Sequence, residues 1–367
     1  MFAPVDRALH PVGLAGVAAY LPPDRRSSRE VEQKVAGLSP GVAIPSGIIE
    51  LMTGIQSRRV AADGVNASDL AAEAGRRVLQ NTGVAAGEVD LLIYASVSQD
   101  LLEPATANIV QEKMGTACPV FDLKNACNSF LNAVQVGEAL IQTGTYRTVL
   151  ITVGEMPSRC IKWSVEDRED LKLSFPGYTL GDAGAAALLK RARNTRGIFY
   201  RSFRTASRFW DRGVIPGGGS MHPRGDEWTY IRGDGAMLKQ AFFEVGPSIL
   251  LNALQESGTT WADYDWVLVH QVSMPFIKSF LELTSVPFEK LVITLPDLGN
   301  MGAASLPVAF AMAEDRGEIR PGDRIMWIGL AGGISLGVML MEYEGAQPSG
   351  RQSRRVGSDV PSTTAAY

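Results

Sequence analysis

The chain has 367 residues, 46% of them apolar and 20% charged, with a net charge of −4 at neutral pH. That composition allows one large α/β unit or two domain-sized halves and excludes general disorder. It offers no basic field, which argues against nucleic acid as the main partner.

In chain order, residues 12–21 form a short Gly/Ala-rich apolar run ending at Pro22-Pro23. It reads as a first strand rather than a signal peptide or membrane span. A short helix is predicted over 28–34 and a Gly/Pro-rich loop over 37–47. Arg58 and Arg59 are expected as solvated or ion-paired surface charges, with phosphate binding the minority reading. Ser68 is predicted to cap a helix running to Gln80, with Leu70, Ala74, Val78 and Leu79 on its buried side. The continuous apolar run 89–97 predicts a strand covered on both faces. A loop containing Glu103 and a helix over 106–114 follow. Strands are predicted over 147–153, 185–189, 265–269, 291–295, 323–328 and 334–343. A long helix is predicted over 235–257 and a helix around 275–283, with an Ala-rich helix ending at Ala313. The charged, aromatic segment 157–176, with Trp163 and Phe175, suggests a lid or tunnel wall. Residues 191–235, with His222, read as irregular, and 346–367 as a disordered tail.

The organising stretch is 120–131. A short apolar strand, a small-residue turn and a helical pattern from Leu131 place Cys127 at or near a helix N-terminus. There the N–H groups and the macrodipole favour a thiolate near neutral pH, as suits a nucleophile that holds an acyl group. A free Cys also packs as a small hydrophobe, so the corner alone is compatible with a structural thiol. Cys118, Cys127 and Cys160 leave one thiol unpaired in any pairing. They show no metal-ligand spacing, which fits a reducing, cytoplasmic setting without a metal.

The two halves also repeat one another. Strand 89–97 and its helix parallel strand 265–269, His270 and its helix; the Cys127 corner parallels the Asn300 corner. Duplication would bring Cys127, His270 and Asn300 into one pocket.

These residues resemble the thiolase superfamily, specifically its β-ketoacyl-ACP synthase III branch, over nearly the whole chain to about Tyr343. The resemblance rests on Asn125-Ala126-Cys127, Gly181-Asp182 with Gly184, His270-Gln271, Gly299-Asn300 before Ala303-Ala304-Ser305, and Gly332-Gly333. The Cys-to-His separation is 270 − 127 = 143 and the His-to-Asn separation 300 − 270 = 30. The resemblance implies an α/β thiolase fold of duplicated halves, residues 1–190 and 191–345, in a five-layered αβαβα arrangement. It implies that Cys127 takes an acyl group, that His270 and Asn300 donate to the second thioester's carbonyl, and that the Cys127 and Gly332 N–H groups form an oxyanion hole. Arg58, Arg59, Arg159, Lys278 and Ser273 become candidate contacts for the substrate. No cofactor is expected beyond the CoA or phosphopantetheine carried by an acyl-CoA or acyl carrier protein.

The finer pattern, Leu102-Glu103-Pro104 with Ser273 after His270, is similar to condensing enzymes that join two acyl thioesters head to head. In those a Glu reaches across a dimer interface as base, and Glu103 stands 127 − 103 = 24 residues before the Cys. Decarboxylation of a malonyl unit generates its own carbanion, whereas an unactivated acyl chain needs a base, favoured here by an apolar tunnel. A homodimer is implied, with a heterodimer of related subunits as the alternative. Competing readings are a decarboxylative synthase using malonyl-ACP, an acyltransferase to an alcohol or amine, and a non-catalytic partner subunit; the retained Cys127 speaks against the last.

Overall fold

The computed structural model describes residues 11–192 and 197–345, so the expected tail at 346–367 lies outside the described residues. The first half runs β1 (Val12–Tyr20), β2 (Arg25–Ser27), α1 (Ser28–Leu38), α2 (Ile48–Thr53), β3 (Ser57–Arg59), α3 (Ala67–Thr82) and β4 (Leu91–Ala95). It continues through α4 (Thr106–Met114), β5 (Val120–Leu123), α5 (Ser129–Gln142), β6 (Thr148–Glu155), α6 (Arg168–Ser174) and β7 (Ala183–Arg191). The second half runs β8 (Gly197–Thr205), β9 (Gly213–Val214), β10 (Arg232–Gly233), α7 (Gly235–Ser257), β11 (Trp266–Val269) and α8 (Met274–Thr284). It ends with α9 (Leu295–Leu298), α10 (Ser305–Asp315), β12 (Arg324–Ala331) and β13 (Ser335–Glu342).

Two sheets carry the fold, in the orders β1-β7-β6-β4-β5 and β8-β13-β12-β11. Their pairings repeat. β4 lies parallel to β6 as β11 does to β12, and the next two pairs in each sheet are antiparallel. From the corner before α5 and α10 through β6 and β12 the correspondence holds at a constant offset of 176. Thr148 and Arg324 open the equivalent strands, Ser129 and Ser305 the equivalent helices, and Ala126 (φ 46) corresponds to Gly302 (φ 56) (302 − 126).

Each sheet is apolar on both faces, as strands covered by helices on both sides must be. Helices α5 and α10 fill the space between the sheets, where Phe130, Leu131, Phe310, Ile151 and Trp327 belong to one core drawn from both halves. Phe310 stacks on Trp327 at 5.3 Å, and Phe130 approaches the same indole at 5.8 Å. Burying such rings contributes about 2–3 kcal/mol each. Helices α3 and α4 cover the outer face of the first sheet, and α7 and α8 that of the second. The result is the five-layered αβαβα thiolase fold. Small residues on β7 let α3 sit directly on the sheet: a Cβ at Gly184 would lie 2.1 Å from the Leu70 carbonyl oxygen. Among the described residues no helix is long and apolar enough to cross a membrane.

Four local expectations are corrected. The cap of α3 is Asn66, while Ser68 lies inside the helix, donating to Asp100 and accepting from Lys113. Residues 197–205, expected to be irregular, form edge strand β8, its solvated face hiding the apolar alternation. Residues 291–295 make no strand; Leu291 forms one parallel bridge to Val267 before Pro296 and its neighbours turn into α9. Arg58 is not a surface charge. It is 1% exposed, donating to the Tyr178 carbonyl at 2.6 Å and Ser28 Oγ at 3.2 Å.

Candidate active site

The Cys127 corner is built by hydrogen bonds that the sequence supplies locally. The Asn125 N–H donates to Ser129 Oγ at 2.8 Å, and the Ser129 hydroxyl to the Ala126 carbonyl at 2.7 Å. These bonds hold Ala126 at its positive φ, a conformation that costs energy for a side-chain-bearing residue. Asn128 Nδ2 donates to the Ser335 carbonyl at 2.9 Å and Asn125 Nδ2 to Ser335 Oγ at 3.0 Å, tying the corner to the start of β13 in the other half. Helix α5 begins at Ser129, two residues earlier than its hydrophobic pattern indicates.

The thiol does not behave as its helix-terminal position suggests. Burial, reinforced by the Glu155 carboxylate, pushes Cys127 up to about 12. A helix terminus supplies only about half a charge, and here it is outweighed by desolvation. The resting nucleophile is a thiol.

His270 follows β11, 1% exposed, its N–H bonded to the Ile328 carbonyl at 2.9 Å. Burial holds it down to about 4, so the ring is neutral at physiological pH. It offers an N–H dipole rather than a positive charge. Asn300 is fixed through its backbone, donating to the Thr179 carbonyl at 2.8 Å and accepting from Gly181 N–H at 3.0 Å. Its Oδ1 accepts the Gly302 N–H at 3.0 Å, which settles the amide orientation and leaves Nδ2 as a donor.

Cys127, His270, Asn300, Gly332, Ser273 and Arg159 line a single cavity of about 1300 Å³. The segment 157–176 contributes Leu171, Phe175 and Pro176 to its wall, and the α1–α2 connection adds Ile44 and Pro45. Trp163 points elsewhere, with Lys34 Nζ 3.9 Å above its ring. Ser273 caps α8 by accepting the Phe276 N–H at 3.2 Å.

Other candidates lie outside the cavity. Arg58 is spent inside the fold, Arg59 donates to the Pro23 carbonyl at 2.9 Å, and Lys278 is exposed on α8. Glu103 is exposed on its loop and does not line the pocket of its own chain. Sequence reasoning missed Glu155, fully buried at the end of apolar β6 and part of the cavity wall. A carboxylate closing an otherwise apolar strand is the signal that could have found it.

A thiol at a strand-to-helix corner, a neutral imidazole and an oriented amide at the ends of equivalent strands around one long cavity define a thiolase-fold condensing enzyme. Residues 121–207 match the family 3-oxoacyl-[acyl-carrier-protein] synthase III, and residues 254–343 match its C-terminal region. The chain is 31% identical over 332 residues to β-ketoacyl-[acyl-carrier-protein] synthase III of Neisseria meningitidis serogroup B, covering 90% of this chain and 98% of the relative. The Laribacter hongkongensis enzyme of the same description is 31% identical over 338 residues, with the same coverage. The chain belongs to the 3-oxoacyl-[acyl-carrier-protein] synthase III family. It is an acyl-transferring condensing enzyme that joins a Cys-bound acyl group to a second acyl thioester by Claisen chemistry. Among solved structures it is similar to OleA of Xanthomonas campestris with bound lauric acid and lauroyl-CoA, at TM-score 0.83 and 24% identity, covering 92% of this chain and 100% of that one. A cerulenin-bound OleA gives TM-score 0.82 at 25% identity over the same shares.

Proposed function

We propose that the enzyme joins two medium- or long-chain acyl thioesters head to head without decarboxylation, with Glu103 of one subunit serving as base in the pocket of the other. The observation that carries this reading is the cavity. At about 1300 Å³ it exceeds the roughly 300–1,000 Å³ usual for small-molecule sites, and long stretches of its wall are apolar. The lauroyl-CoA bound by the similar OleA is an acyl thioester of that kind.

In this reading Cys127 attacks the first thioester; its C–S bond to CoA or pantetheine breaks, and the Cys127 proton passes to that departing thiol, because the free Cys127 thiolate is costly. The N–H groups of Cys127 and Gly332 hold the resulting oxyanion. His270 and Asn300 then donate to the carbonyl of the second thioester while Glu103 removes its α-proton. The α-carbon attacks the Cys127 thioester, the C–S bond to Cys127 breaks as the β-keto thioester forms, and the expelled thiolate takes up the proton that Glu103 removed.

A homodimer supplies Glu103. Among the described residues β5 is a free sheet edge with Phe121 37% exposed, and Leu101 and Leu102 beside Glu103 are 50% and 72% exposed. An unpaired apolar edge of this kind is a template for pairing with a second copy. The substrate brings its own CoA or carrier-protein pantetheine, and no resident cofactor takes part. Arg159 is the strongest remaining contact for the phosphates. The halves 1–190 and 191–345 act as one folded unit in the cytoplasm.

The family's own activity supports a second reading, a decarboxylative synthase that extends Cys127-bound acyl groups with malonyl-ACP. One experiment separates the two. The protein is incubated with dodecanoyl-CoA alone, followed by intact-mass and product analysis. Base-driven condensation yields acylated Cys127 and a β-keto product, and Glu103→Ala lowers product about 10²–10⁴-fold, the usual contribution of a general base, with acylation retained. Acylation without product until malonyl-ACP is added, and indifference to Glu103→Ala, would establish the second reading instead.

A further inference from the structure

At the 176-residue offset Cys127 corresponds to Ala303 and Met156 to Gly332 (303 − 127, 332 − 156). The two N–H groups assigned above to the acyl-enzyme oxyanion therefore have counterparts in the second corner of the same cavity. There the Ala303 N–H donates to Glu155 Oε1 at 3.2 Å, and the Met156 N–H donates to Ser98 Oγ at 2.9 Å. Ser98 Oγ donates in turn to Glu155 Oε2 at 2.9 Å. The Val97 N–H adds a bond to Oε1 at 2.8 Å and the Ser98 N–H one to Oε2 at 3.2 Å. A buried carboxylate thus takes one of the two counterpart N–H groups directly and is joined to the other through the Ser98 hydroxyl.

Each carboxylate oxygen takes two donors, and a carboxylate has about four acceptor positions. Burial pushes the Glu155 carboxyl up, and the bonds from Val97, Ser98 and Ala303 oppose that shift by holding the charged form. Its donors come from two segments that line the cavity. Val97 and Ser98 begin the loop that carries Asp100 and Glu103. Ala303 follows Gly302, whose N–H orients Asn300, and a Cβ at Gly302 would lie 3.0 Å from Glu155 Cδ. Asp100, Lys124, Arg159, Cys160 and His270 share the cavity, together with Arg168, Lys239 and the Lys172–Asp234 ion pair. The charged group that bears on the Cys127 thiol is Glu155.

We propose that Glu155 is a positioning residue: with the Ser98 hydroxyl its carboxylate takes the N–H groups that correspond to the oxyanion hole, clamps the Asn300 turn to the Glu103 loop, and places a negative charge in the cavity that holds Cys127. The clamp has its consequence in the condensation proposed above and rests on that reading; the charge does not, because alkylation of the thiol reports it without turnover.

The test uses the full-length protein and Glu155→Gln, which keeps the shape but turns an NH₂ against at least one N–H donor in either amide orientation and removes the charge. With iodoacetamide, the pH midpoint for Cys127 alkylation is expected to fall by about one unit or more, roughly tenfold in rate at a fixed pH below the midpoint. With dodecanoyl-CoA, acyl loading persists while product formation drops about 10²-fold, as for loss of an oriented donor. An alkylation profile that superimposes on the wild type overturns the electrostatic role, and loading and product falling together overturn the clamp. Should Glu155→Gln not fold, Ser98→Ala keeps the charge and removes one donor. It is expected to lower product about tenfold with an unchanged alkylation profile, and unchanged product would sink the clamp.

Discussion

The corner at Ala126-Cys127 and the corner at Gly302-Ala303 have the same backbone and opposite chemical assignments. In the first, Asn125 N–H bonds to Ser129 Oγ at 2.8 Å; in the second, Met301 N–H bonds to Ser305 Oγ at 3.1 Å. Both turn through a positive φ, at Ala126 and at Gly302. The first places a thiol at the pocket, whereas the second has alanine at that position and an amide, Asn300, just ahead of the turn. Duplication fixed where functional groups stand, and divergence fixed which groups they are. The sheet edges diverged as well. Among the described residues the first half keeps β5 as an open edge, while the second reduces the equivalent strand to the Leu291 bridge. That leaves the first half to meet a partner.

The comparison is broken most severely at the thiol. Cys127→Ala should abolish acyl loading and lower turnover by at least about 10⁴-fold, the scale seen when a nucleophile is removed from a coupled site. Intact mass after incubation with acyl-CoA checks it, and any surviving stoichiometric adduct elsewhere would refute the assignment. The second corner should fail differently. Asn300→Ala removes one oriented donor, and condensation should fall about 10²–10³-fold. Loading of Cys127 should be unchanged, since the oxyanion donors for that step lie in the other corner. Rapid-quench measurement of each half-reaction distinguishes them, and equal losses in both would show that the corners do not divide the work.

The thiol's raised position gives the comparison a pH signature. Because burial and Glu155 disfavour the charged form, Cys127 with a value of about 12 is almost wholly protonated at neutral pH. Alkylation should therefore rise about tenfold per pH unit between pH 7 and 10, with no plateau below pH 9. A plateau near pH 7–8 would show that the helix terminus dominates after all.

The sequence made the fold legible where periodicity and burial agree. β4, β6 and α7 are continuous patterns, and the repeat follows from their order. The Cys127, His270 and Asn300 positions were legible because strand ends in α/β folds present chemistry. What stayed hidden depends on neighbours distant in sequence. Arg58 looks like a surface charge beside Arg59 until Tyr178, 120 residues away, is found accepting its guanidinium. Glu155 looks like the polar end of a strand until Val97, Ser98 and Ala303 converge on it. The thiol's protonation could not be read from a helix N-terminus, because desolvation is set by the whole cavity wall. β8 was missed because Arg201, Ser202 and Arg204 interrupt its apolar residues and Phe199 stands exposed on the same face as Arg201, and this strand also lies in an Arg-rich stretch.

The repeat has a last consequence in the central layer. Glu138 of α5 and Glu314 of α10 are equivalent positions (314 − 138), and both carboxyls are pushed up to about 7 by burial. Their partners differ: Arg201 lies 3.0 Å from Glu138, whereas Glu314 receives the Tyr343 hydroxyl. The unperturbed value is 4.5, so the folded state holds these protons more tightly than the unfolded one. The stability they confer is complete below about pH 4.5 and is lost as pH rises through 7. Glu314 is the cleaner test, since a glutamine there stays neutral and still accepts from Tyr343. Glu314→Gln should leave the melting temperature unchanged at pH 5 and raise it at pH 8, recovering on the order of 2 kcal/mol. Glu138→Gln should recover less, because it strips Arg201 of its counter-charge while relieving the same burial. Equal gains from the two substitutions would mean that the arginine contributes nothing, and the paired helices would then be alike in energetics as well as in geometry.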